Sequence, residues 1–367
     1  MHVLQKLYLT CHCVIFVCQV ATAETNERVD FNSQIRPLLS DNCFFCHGPD
    51  ATHREGGLRL DQAETAFAAG DSGLVAIVPG KPKESEVLQR VLSGDPDMLM
   101  PKPESGKQLS AQEIELLRCW IEQGAVWEEH WAYRAPVHSV APVVHEKNWP
   151  LNIIDRYILS RLEKESLTPA QDADPVTLVR RLHLDLTGLP PEPEVVDHFL
   201  QSNQSDRYER LVDRLLASPQ FGERMAMYWL DLVRYADTVG YHGDQDHNIS
   251  PYRDYVVDSF NENLPLNRFT HEQLAGDLLA NEVEGDIDAE TRLKVASGYN
   301  RLLQTSHEGG VQKKEYLAIY AADRVRNLSS VWMGATMGCC QCHDHKFDPF
   351  TARDFYAMVA FFADIDE

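Results

Sequence analysis

The sequence predicts a mainly α protein, a small all-α domain followed by a larger helical domain, and three observations carry that prediction. Apolar residues recur at helical spacing through most of the 367 residues. No segment shows the sustained apolar–polar alternation of a half-buried strand. The motif C-x-x-C-H occurs twice, at 43–47 and 339–343, once in each half. With 9 Cys and 15 His in the chain, composition alone predicts only about 0.01 such matches.

Taken from the N-terminus, residues 1–23 read as a signal peptide. Lys6 supplies the basic n-region, Leu7 to Val20 is mostly apolar, and Ala21-Thr22-Ala23 gives a small-x-small cleavage pattern before Glu24. A retained signal anchor is the alternative, because Cys11, His12, Cys13 and Cys18 interrupt the apolar run. That run is short for a membrane span, and no other stretch nears the length required. The expectation is an exported chain, periplasmic or otherwise extracytoplasmic, with no transmembrane segment after cleavage.

Residues 29–126 form the first predicted domain. A helix over 32–39 leads into the first motif, and a final helix begins with a capping box at Ser110 and Glu113. Ile114, Leu117 and Ile121 form its apolar stripe, with Trp120 beside it and Gly124 able to end it. Residues 127–150 read as a linker carrying Pro136, Pro142 and Pro150.

Residues 151–367 form the second predicted domain. Ile154, Ile158, Leu159 and Leu162 mark one stripe, Leu178, Leu182 and Leu186 a second, and Leu211, Leu215 and Leu216 a third. Further helices are expected over 224–235, 252–263, 268–279, 290–299, 314–333 and 352–362.

The formal charge of −22 repels nucleic acid and anionic lipid and favours cationic partners. Nucleic-acid binding is excluded on this ground. Three cysteines lie in the signal segment and four in the two motifs, which leaves Cys119 and Cys340, either a disulfide or two unrelated thiols.

In an exported protein C-x-x-C-H is the spacing of c-type haem attachment. Cys43 and Cys46, three residues apart, lie on one helical face and can bond both vinyl groups, while His47 meets the iron. A zinc or disulfide site is the competing reading. Met98 and Met100 follow in the same domain; Met100 is the preferred sixth ligand because Pro101 stiffens the backbone beside it, with Met98 in reserve. At the second motif Cys339, Cys342 and His343 repeat the haem spacing, and Cys340 fits neither attachment position. Three cysteines and two histidines within seven residues also suit another metal, or a purely structural cluster. No Met-Pro loop follows, and His345 is too close in sequence to reach the opposite haem face. Distal candidates there are His242, His247, His271 and His307. Asp231, Asp237, Asp244 and Asp246, with Asp344 and Asp348, could serve acid–base chemistry or calcium, or stand as solvated helix ends.

Both halves resemble a family of secreted planctomycete proteins. The first half resembles the planctomycete cytochrome-c-type domain through residues 35–39, Cys43 to Gly48, Gly57-Leu58-Arg59-Leu60-Asp61, Val78-Pro79-Gly80 and Met100-Pro101. The second resembles the domain of unknown function that follows it, also described as a second cytochrome-c-like domain. The shared stretches include Asp185 to Pro191, Tyr228-Trp229-Leu230-Asp231, Arg234-Tyr235-Ala236-Asp237, Tyr252-Arg253-Asp254-Tyr255, Glu272 to Asp277 and Cys342 to Pro349. Members of that family carry Met-Pro-Pro where this chain has Met100-Pro101-Lys102, and continue into a further C-terminal domain where this chain stops at Glu367. The resemblance implies a cytochrome-c-like haem domain, haem c and export, and no particular reaction.

These readings converge on an exported dihaem c-type cytochrome in electron transfer with a redox partner protein, basic partners being favoured by charge. Two alternatives stay open: an extracytoplasmic oxidoreductase that uses the first haem as an electron relay, and a binding module with a single haem domain.

Overall fold

The structure is a computed structural model and describes residues 28–365 except 242, 284, 307–309 and 311. The proposed signal peptide lies outside the described residues. Fifteen α-helices are formed and no strand among the described residues, with isolated bridges at Ala69/Val75, Thr238/Asp246 and Gly240/Thr305. The protein is mainly α. Its contacts separate it into two units, divided between Trp131 and Ala132.

The first unit holds α1 (Arg36–Asn42), α2 (Phe44–His47), α3 (Ala63–Ala66), α4 (Glu86–Val91) and α5 (Ala111–Glu122). The expected helix over 32–39 is split: a π-helical turn, Phe31–Ile35, precedes α1, because Asp30 caps the Ser33 amide and Pro37 restarts the helix at its first turn. In α5 the capping box forms as expected, the Ser110 hydroxyl accepting from the Glu113 amide at 3.2 Å and the Glu113 carboxylate accepting from the Ser110 amide at 2.7 Å. Leu117, Trp120 and Ile121 are buried against Phe31, Ile35, Leu39 and Phe44, and Ile114 packs at the edge. Phe31 lies between Trp120 and Trp127, with ring centroids 5.5 and 4.4 Å away. This core is the floor under the first motif. It roots α1 and α2 on α5, so the motif's position is set by burial rather than by the short helices themselves, which have too few turns to stand alone.

The second unit comprises α6 (Ile153–Lys164), α7 (Pro175–Thr187), α8 (Pro193–Gln201), α9 (Arg207–Leu216), α10 (Pro219–Leu232), α11 (Ser250–Asn261), α12 (Leu266–Ala280), α13 (Ile287–Ala296), α14 (Lys313–Met333) and α15 (Ala352–Ala360). Three cores organise it. Val179, Phe199, Leu211 and Leu215 join α7, α8 and α9. A larger aromatic core gathers Tyr252, Tyr255, Phe269 and Tyr299, with Trp229 and Trp332 at its edge. A third, of Ala322, Val325, Ala335, Met337, Cys340 and Phe355, seats the second motif between α14 and α15. The stripe read along α6 behaves otherwise: Leu159 alone is buried, and Ile154 and Ile158 face solvent. Among the described residues no helix is long and apolar enough to cross a membrane.

Candidate haem sites

The first motif is made by a kink. Cys43 caps the end of α1 and starts α2 with non-helical backbone angles, φ −120° and ψ −34°. Its carbonyl accepts from the Cys46 amide at 3.2 Å and the His47 amide at 2.9 Å. Both thiols and the imidazole are thereby held on one tight turn. The chain then folds back over the motif: the Glu55 amide donates to the Cys46 carbonyl at 2.8 Å and the Leu60 amide to the His47 carbonyl at 2.7 Å. Arg54 fixes this loop through the carbonyls of Gly48 and Pro49, at 3.1 and 2.6 Å. Gly48 is required by close approach, since a Cβ there would sit 2.2 Å from the Phe44 carbonyl oxygen.

Burial governs the chemistry of the three side chains. It pushes the Cys43 thiol up to about 12 and raises Cys46, and it lowers the His47 imidazole against the opposing charge of Glu55. Neutral imidazole is the form that ligates a metal, and its Nδ1 is buried here without a hydrogen-bond partner. Both thiols lie on the same turn as this imidazole, the arrangement that covalent haem attachment uses. The residues present therefore fit a covalently held haem.

The two methionines are distinguished by their surroundings. Met98 is 42% exposed, and its sulfur accepts from an Arg90 guanidinium N–H at 3.4 Å. Met100 is half-buried, and its amide is tied to the Arg90 carbonyl at 3.2 Å. Sequence reasoning missed three charged residues beside the motif. Lys102 pairs with Glu55, both acting on the Cys46 thiol, and Lys107 donates to the Asp41 carbonyl and acts on Cys43. The break from Met-Pro-Pro at Lys102 was the only signal in the sequence that could have pointed to them.

The second motif repeats the hydrogen bonds of this turn. The Cys339 carbonyl accepts from the Cys342 amide at 3.3 Å and the His343 amide at 3.4 Å, but the bend falls at the second cysteine, Cys342, with φ −114° and ψ −32°, after a 3-10 turn over Met337–Gln341. Cys339, Cys342 and His343 are exposed together on this turn. The His343 Nδ1 lies 2.8 Å from the Asp344 carbonyl, which fixes the proton on Nδ1 and leaves Nε2 as a lone-pair donor. Cys340 is fully buried in the third core, its thiol pushed up to about 11 by burial and donating to the Phe350 carbonyl at 3.5 Å. Cys340 and Cys119 are both free thiols.

His345 has a different task. Its Nδ1 accepts from the Asp348 amide at 2.8 Å and the Phe347 amide at 3.2 Å, so Nε2 carries the proton toward Thr336 Oγ1 at 3.0 Å. Both nitrogens are committed to shaping the loop. Asp344 accepts from the Ala352 amide at the start of α15, and Asp237 accepts from the Tyr235 hydroxyl. Asp244 accepts from the Gly240 amide. No group of three or more His, Cys, Asp or Glu poised for a metal ion exists among the described residues. Of the distal candidates, His247 is half-buried, His271 is exposed on α12, and His242 and His307 lie outside the described residues.

Most of the remaining motifs in the second half are packing devices. Trp229 Nε1 donates to the Tyr252 hydroxyl and to Gln273 Oε1, each at 3.1 Å, and the Tyr252 hydroxyl donates to the same Gln273 oxygen at 2.6 Å. Buried Glu272 accepts from Arg268 at 2.7 Å and from the Tyr255 hydroxyl at 3.1 Å. A Cβ at Gly276 would meet the Leu293 carbonyl oxygen at 2.2 Å, so glycine lets α12 and α13 touch.

An all-α unit with two thiols and an imidazole on one turn is the arrangement that cytochrome-type haem proteins use. Residues 43–104 match the family described as Planctomycete cytochrome C, consistent with that class. Residues 153–367, more than half of the chain, match PSCyt2, and the chain belongs to this family, described as Protein of unknown function (DUF1549). No curated protein and no solved structure matches the chain.

Proposed function

We propose that the protein is an exported dihaem c-type cytochrome that carries electrons outside the cytoplasmic membrane. The observation that carries this reading is the repeated turn: at each C-x-x-C-H the first cysteine's carbonyl accepts from the amides of the second cysteine and the histidine. Bonds of this kind form in any helical turn, so the weight lies on the repetition: two thiols and an imidazole at the same spacing occupy such a turn in each half.

At the first site Cys43 and Cys46 would hold the haem as thioethers, His47 would give its neutral imidazole to one face, and Met100 its thioether to the other. Haem supplies an iron that accepts and releases one electron, and thioether ligation raises its potential. The surrounding chain keeps His47 neutral by burial and holds the Met100 segment beside the motif. At the second site Cys339, Cys342 and His343 would play the corresponding parts. The free Nε2 of His343 supports this, and so does the exposure of all three residues, since a haem held there would be open to a partner protein. The acidic charge favours a basic partner.

Mass spectrometry of tryptic peptides, from cells with a c-type maturation system, tests the assignment. Peptides spanning 43–47 and 339–343 should each carry the mass of one haem, and Cys43→Ala/Cys46→Ala should remove it from the first alone. Unmodified peptides at both motifs would overturn the reading.

A further inference from the structure

We propose that Lys102 and Lys107 are positioning residues, two straps that hold the Met100 segment against the first motif. The inference rests on the haem reading of that motif. Lys102 Nζ lies 3.6 Å from Glu55 Oε2, and the Glu55 amide is itself bonded to the Cys46 carbonyl at 2.8 Å. One end of the strap is thus anchored on the second cysteine. Lys107 Nζ donates to the carbonyl of Asp41, in the last turn of α1, and its charge reaches Cys43. The other end is anchored beside the first cysteine. The backbone that joins Met100 to the first lysine is stiff: Lys102 stands between Pro101 and Pro103 with φ −58° and ψ 141°, the extended state that a following proline favours. Pinning the two lysines therefore pins the methionine two residues before the first of them.

The role differs from general stabilisation. Neither lysine contributes to the apolar core, and the Lys102–Glu55 pair is half-exposed, with side-chain exposures of 46% and 54%. What the straps change is the ease with which Met100 leaves the iron.

Competition with imidazole reads this directly. Ferric holoprotein is titrated with imidazole at fixed pH near neutrality; binding is followed by the shift of the Soret band in every variant, and displacement of the thioether, where Met100 is present, by loss of its weak far-red absorption. Met100→Ala should bind imidazole far more tightly than wild type. Lys102→Gln and Glu55→Gln should each tighten apparent imidazole binding about two- to five-fold, the range open to an exposed charge pair, and Lys107→Gln, which loses a charge-assisted hydrogen bond to a backbone carbonyl, should tighten it as well. The swapped pair Glu55→Lys/Lys102→Glu should return to wild type, which loss of a merely structural residue would not do. In about 1 M salt the wild type should approach Lys102→Gln, because screening shortens the reach of the pair. If Met100→Ala binds imidazole no better than wild type, the ligand assignment fails and the straps with it. If Met100→Ala opens the site while the single variants match wild type, or the swap fails to rescue, the strap proposal alone is overturned.

Discussion

Substituting Gly48 by alanine is the sharpest structural perturbation of the first motif. The residue follows His47 directly, is buried, and does not need the left-handed region, so the effect is purely one of space. The new methyl carbon would lie 2.2 Å from the Phe44 carbonyl oxygen and 2.9 Å from the Phe44 carbonyl carbon and Cβ. These are mainly backbone atoms of the motif's own turn, and they can yield only by opening the turn that holds Cys43, Cys46 and His47. Forced shifts of this kind cost about 1–3 kcal/mol. In a domain of roughly 100 residues each kcal/mol moves the melting temperature by about 4–8 °C, so the first unit should melt about 5–20 °C lower. Differential scanning calorimetry of the holoprotein measures this. Gly94→Ala is the matched control, because a Cβ there meets nothing within 4 Å, and it should melt at or slightly above wild type. A Gly48→Ala protein with full haem content that melts within about 2 °C of wild type would refute the packing argument.

Met100→Ala should abolish the weak far-red absorption and lower the reduction potential of the first centre, and Met98→Ala should leave both unchanged; spectroelectrochemistry reads the two variants, and the reverse pattern would move the ligand to Met98. Glu272→Ala leaves Arg268, Arg292 and the Tyr255 hydroxyl facing a buried site without its carboxylate, and should destabilise the second unit by about 2–4 kcal/mol in denaturant unfolding, while the far-red absorption of the first haem is retained. Hydrogen bonds from Arg118 hold the Glu115 carboxyl down to about 2, against an ordinary value of 4.5. Its folded value is the depressed one, so its contribution is present above about pH 4.5 and is lost as pH falls toward 2. Melting temperature should therefore fall more steeply over that window in wild type than in Glu115→Gln, and parallel curves would contradict the assignment.

The helices were legible wherever one local rule decided them. Ser110 and Glu113 announce the start of α5, and Leu117, Trp120 and Ile121 form the face it buries. The helix expected over 314–333 lies at Lys313–Met333. Where two rules compete, the sequence was a poorer guide. Pro37 inside an apolar pattern hid the π-helical turn before α1. Ile154 and Ile158 recur at helical spacing yet face solvent, because periodicity reports a stripe and not what covers it.

At the site, the thiols and the imidazole were legible because C-x-x-C-H is local: one turn of backbone holds all of them. Glu55, Lys102 and Lys107 were not, since their relation to Cys46 and Cys43 depends on a loop closing back over the motif. The same limit explains the carboxylates and His345. Their density around the second motif left acid–base chemistry, calcium and solvated helix ends open; in the structure Asp344 accepts from the amide at the start of α15, and both nitrogens of His345 bond within its own loop. Polar residues in a specific motif read alike whether they serve chemistry or satisfy buried backbone.

Haem stoichiometry tests the central claim most directly. A pyridine haemochrome assay on the full chain, normalised to protein concentration, should give two haems for wild type and one each for Cys43→Ala/Cys46→Ala and Cys339→Ala/Cys342→Ala. A wild-type value of one haem per chain, unchanged in Cys339→Ala/Cys342→Ala, would contradict the account by showing that the second turn, though built like the first, holds no haem.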